Sequence, residues 1–82
     1  MSTVTYTKLC RMREDLPHDE NEIVLANGIK PGQILWKECV RPSLLGGYIA
    51  TIRETYTHWG GISPNRILAE NMPTRYFEEV WP

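Results

Sequence analysis

The chain has 82 residues, nine Lys and Arg against ten Asp and Glu, and a net charge of −1 with the signs mixed along its length. That length is one domain with a thin core, burying only roughly 60% of its unfolded surface. The balanced charge argues against a general nucleic-acid binder, which needs a basic stripe, and equally against an acidic DNA mimic.

Eight aromatics, three of them tryptophan, are many for so short a chain and are the first candidates for the core. Cys10 and Cys39 lie far apart with no C-x-x-C spacing, which matches neither a zinc site nor a disulfide framework. Without an apolar leader before Cys10 or a run approaching a membrane span, a cytoplasmic protein with reduced thiols is the expectation. A single structural disulfide is the alternative.

In chain order, Thr3 to Leu9 alternate and are rich in β-branched and aromatic types, predicting a first strand. Arg11 to Glu22, with Leu16-Pro17 and His18-Asp19-Glu20-Asn21, reads as a charged loop. Glu22 to Ala26 then reads as a second strand, and Asn27-Gly28 with Lys30-Pro31-Gly32 as its turn. A third strand is expected over Gln33–Val40, ending before Pro42.

Between Ser43 and Trp59 two periods compete. Leu44, Leu45, Tyr48, Ile49, Ile52, Tyr56 and Trp59 fall at helical spacing, while Gly46-Gly47 and three threonines oppose a helix. Composition favours a strand over Tyr48–His58, ended by Gly60-Gly61. From Ser63 the signals are helical: Ser63 as N-cap, Pro64 in the first helical position and two turns over Asn65–Asn71 before Pro73. Thr74 caps either a second short helix over Arg75–Trp81 or an extended tail, because Glu78-Glu79 oppose the helix dipole.

No constellation carries a reaction by itself. His18, Asp19, Glu20 and Glu22 crowd four oxygen or nitrogen ligands into five residues, but in no EF-hand pattern, and a solvated turn is the simpler account. On a strand, Lys37, Cys39 and Arg41 would share a face, activating the thiol for a Cys39–His58 pair, although a half-buried cysteine is commoner. The glycine pairs lack a phosphate-binding pattern, and no pair of carboxylates such as Asp15 and Glu54 is tied together as acid and base. Arg53, Arg66 and Arg75 are interleaved with Tyr48, Tyr56, Trp59, Tyr76 and Phe77, a mixture able to stack bases or grip a protein surface.

At Arg13-Glu14-Asp15-Leu16-Pro17, at Glu22 to Gly28 and at Thr57-His58-Trp59, the chain resembles a family of small phage and prophage accessory proteins of unknown function. The likeness covers residues 13–59. It implies a mobile-element origin and a strand at Thr57-His58-Trp59, and it carries over no catalytic residue. The chain departs from the family in continuing past Trp59, where the family ends in a proline-rich tail, and in lacking a tryptophan before Arg13.

The expectation is an α+β domain spanning residues 1–82, with a small antiparallel sheet of three or four strands and one or two short C-terminal helices. The expected function is non-enzymatic: a cytoplasmic phage or prophage accessory factor that binds and modulates a host protein, without metal or cofactor. Its partner-binding residues are expected to be Trp36, Arg53, Tyr56, Trp59, Arg66, Arg75 and Trp81, and self-association into a dimer would deepen any pocket. Two alternatives remain: a small DNA-binding regulator using the C-terminal helical segment, and a small-ligand-binding oligomer.

Overall fold

In the computed structural model, residues 7–80 are described. Five strands, β1 (Thr7–Met12), β2 (Ile34–Pro42), β3 (Tyr48–His58), β4 (Gly61–Pro73) and β5 (Phe77–Glu79), form one antiparallel sheet in the order β4-β3-β2-β1-β5. Helix α1 (His18–Leu25) lies between β1 and β2, and a 3-10 turn, Thr74–Tyr76, precedes β5.

This corrects the expected fold in three places. The sheet has five strands rather than three or four, the helix is near the N-terminal end, and the segment predicted to hold C-terminal helices is strand. Tyr48–His58 is the strand its composition predicts. Of the strand expected over Thr3–Leu9, residues 3–6 lie outside the described residues, and β1 continues to Met12.

Glu22–Leu25 falls in α1, with Ala26 as its C-cap, and the helix is fixed mainly at that end. At its start Pro17 stands in the N-cap position without a side-chain cap bond, and Asp19 and Glu20 sit in the first turn, where the dipole favours acids. At the other end Asn27 Nδ2 donates to Ile23 O at 2.9 Å, and Gly28, at φ 78°, donates its amide to Leu25 O. Asn27-Gly28 is thus a helix C-terminus rather than a hairpin turn.

The signals that predict a helix after Ser63 serve β4 instead. Against Ile49–His58 of β3, β4 uses Gly61–Pro73, so three extra residues are absorbed as register shifts, one of them placing Asn71 at φ 57°. Ser63 Oγ bonds His58, and Asn65 donates its side-chain amide to Glu54 at 2.8 Å, so neither is free to cap a helix.

The register sorts side chains onto two faces. One holds Cys10, Met12, Leu35, Ala50, Ile52, Ala69, Met72 and Phe77, closed by Val24 of α1 together with Ile29 and Tyr76 into the core. Lys37 lies at the end of that face, its ammonium 3.5 Å from Glu79. The other face carries Leu9, Arg11, Ile34, Trp36, Glu38, Thr51, Arg53, Ile67 and Glu78.

Candidate functional site: the hairpin arm

The last rung between β2 and β3 joins Leu35 to Glu54. Past Thr55, β3 has only β4 beside it, and Tyr56–His58 pair with Gly61–Ser63 as a two-stranded arm projecting from the sheet. The turn at its tip is two residues, Trp59-Gly60, between the paired His58 and Gly61. Gly61 adopts φ 136°, which an L side chain rarely takes, so a glycine is required after the turn.

His58 clasps the tip. The Gly60 amide donates to Nδ1 at 3.2 Å, which assigns the imidazole proton to Nε2, and Nε2 then donates to Ser63 Oγ at 2.7 Å. Tyr56 stacks on the same ring, centroids 5.5 Å apart and planes 22° from parallel. With its neighbour's ring occupied in this way, Trp59 is left fully exposed at the end of the arm. Ile62 and Tyr56, about half exposed, extend the apolar surface down both sides. Apart from His58, no ionisable side chain occurs from Thr57 to Pro64.

The base of the arm is held by charge. Glu54 Oε1 accepts from Asn65 Nδ2 at 2.8 Å and Arg66 Nε at 3.1 Å, while Arg53 donates to Glu38 at 2.8 Å and to Asn65 O at 3.0 Å. Those bonds span a β4 irregularity between the Arg53 and Thr55 rungs.

Of the residues expected to bind a partner, Tyr56 and Trp59 meet on the arm and Arg53 and Arg66 at its base. Trp36 pairs in register with Arg53 on the face opposite the core. Arg75 is not part of this group: it sits past the other end of β4, bonded to Glu20 of α1 at 2.9 Å and lying 4.8 Å from the centre of the Tyr76 ring. Trp81 lies outside the described residues.

The other constellations come apart. Cys39 adopts φ 55° in a β2 bulge opposite the Ala50 end of β3, and its carbonyl accepts from Arg41 Nη1 at 2.6 Å, so Lys37, Cys39 and Arg41 do not line one face. His58 is at the far end of β3, about 25 Å away by strand rise. Both cysteines are free thiols, Cys10 in the core and Cys39 half-buried. Glu20 of the acidic cluster is engaged by Arg75 and Glu22 faces His18 at 3.5 Å; among the described residues no three His, Cys, Asp or Glu converge as metal ligands. No helix among the described residues is long and apolar enough to cross a membrane.

Sequence reading missed two surfaces. Ile62 belongs to the arm, and the two-residue spacing of Gly60 after His58-Trp59 was the available sign of a hairpin. Leu44 and Leu45 stand fully exposed on the β2–β3 turn, shaped by a Leu45 amide bond to Ser43 Oγ and a Ser43 amide bond to Gly47 O, beside an open groove of about 550 Å³. No family model, no curated protein and no solved structure matches the chain.

Proposed function

We propose that this chain is a non-enzymatic binding protein, an accessory factor of a phage or prophage that engages and modulates a host protein in the cytoplasm. The contact is made by the β3–β4 arm, and the observation that carries the reading is Trp59, fully exposed at the tip of an arm whose turn is clasped by His58. A tryptophan presented on a turn whose backbone is already held costs less ordering when it enters a partner's pocket, and tryptophan is enriched among interface hot spots.

Affinity capture of the tagged chain from host lysate, with nuclease, tests this against Trp59→Ala. The expected result is a stoichiometric protein partner that survives nuclease and binds the variant at least about 30-fold more weakly, the ~2 kcal/mol of a hot spot. A partner bound equally by both chains overturns the role of the arm, and recovery of nucleic acid in place of a protein overturns the reading itself.

A further inference from the structure

Strands with one solvated face ordinarily alternate apolar and polar residues, so the face away from the core should be polar. Here it is not. The register places Ile67, Arg53, Trp36 and Leu9 in one row across β4, β3, β2 and β1, and Val80, whose amide donates to Leu9 O at 3.2 Å, extends the row past β5. Ile34 lies beside Trp36 in the next row, and Ile62 and Pro64 continue the surface onto the arm. Among the described residues, α1 and the rest of the buried cluster pack against the opposite face. Trp36 Nε1, at the middle of the row, is closed off from solvent and has no hydrogen-bond partner among the described residues.

We propose that this face is a dimer interface, covered by a second copy of the chain packed sheet to sheet. Its charges fit that occupant: Arg53 bonds Glu38 at 2.8 Å and Arg11 bonds Glu78, so each guanidinium arrives at the interface already neutralised. A nucleic acid would meet no free cation in those pairs, and a lipid surface would have to desolvate both carboxylates.

Self-complementarity comes from the strand order, in which β2 is the middle of five. The row is apolar at both ends with Trp36 at its centre. A two-fold axis along β2 therefore lays Ile67 on Val80 of the other copy and Trp36 on its own counterpart, and it sets each Arg53 over the other copy's Leu9; Glu38, also on β2, meets its own counterpart with its charge held by Arg53. Five strands and three rows of side chains make a face about 20 Å on a side, about 400 Å² and roughly half the ~800 Å² per partner of a standard interface. The dimer is consequently weak.

Sedimentation equilibrium of the full chain from about 1 to 200 μM covers the range of a weak dimer. The expected result is a concentration-dependent dimer whose Kd rises at least tenfold in Ile67→Glu, an edge-strand position 44% exposed where the fold tolerates a charge. Trp36→Lys should do the same, and a Leu44→Ser/Leu45→Ser chain, altered at the opposite end of β3, should dimerise as the parent does. A chain that stays monomeric at every concentration overturns the proposal. So does a dimer unmoved by Ile67→Glu with native circular dichroism, or one lost in the leucine variant instead.

Discussion

Burial, not neighbouring charge, sets the chemistry of the two thiols. Cys10 is fully buried on the core face, where desolvation pushes its thiol from 9.0 up to about 12, and the nearby Lys37 ammonium only partly offsets this. Cys39 lies on the bulge, half-buried. Iodoacetamide at pH 8 is therefore expected to alkylate Cys39 and spare Cys10 in the native protein, and to alkylate both in denaturant, as read by mass spectrometry of tryptic peptides. Because the folded thiol holds its proton more tightly than the unfolded one, Cys10 contributes its stability in full below pH 9.0 and loses it as pH rises towards about 12. Rapid alkylation of native Cys10 would show the core face to be open. Arg13 illustrates the opposite sign: its two bonds to Asp15 at 2.8 and 2.9 Å hold that exposed carboxyl below the usual carboxylate range, a contribution present at neutral pH and lost in acid.

At the scale of elements, caps decide where propensity misleads. Ile23-Val24-Leu25 has the composition of a strand, yet only Val24 of α1 is buried, so most of the segment's β-favouring surface faces water and the helix is held at its C-terminal end by Asn27 and Gly28. Gly28 takes a left-handed φ of 78° with no atom within 4 Å of where a Cβ would sit, so Gly28→Ala meets no clash and reports backbone strain alone. It is expected to cost about 1 kcal/mol in urea unfolding, with an unchanged slope. A neutral result would mean that the α1 terminus is not held in that conformation. The long β4 edge is managed differently: Pro64 and Pro73 remove donors, and the irregularities opposite Ala50–Thr55 interrupt the repeat that a neighbouring chain would need.

For the whole molecule, stability rests on one face of the sheet. Ile52 has no exposed surface and stands in β3 between Lys37 and Ala69, so Ile52→Ala opens a cavity near the middle of the core. The expected loss is about 2–5 kcal/mol of unfolding free energy, a large part of the total for so small a domain, measured by urea denaturation. A loss under about 1 kcal/mol would mean that the core face is not tightly packed. The arm, the Leu44–Leu45 turn and the apolar row through Trp36 leave the core untouched, so they can change with little cost to folding.

By itself the sequence determined the size, the balanced charge, the free thiols' lack of a metal or disulfide pattern, the strand Tyr48–His58 and, apart from its ends, the strand expected over Gln33–Val40 and found at Ile34–Pro42, because each of these follows from composition or from alternation within one segment. The arm's aromatics, Tyr56 and Trp59, were legible as residue types able to anchor a partner. Their exposure was not, since the same rings could have filled the core. Tertiary structure alone decided that Glu22–Leu25 is helix and Ser63–Asn71 strand: capping partners such as Asn27 and Gly28, and acceptors such as Glu54 for Asn65, become distinguishable from turn signals only once the chain has chosen what lies beside them. It alone separated Arg75 from Arg66 and brought Trp36 into one row with Leu9 and Ile67, because pairing between strands distant in sequence is set by the register of the sheet, and no local period records it.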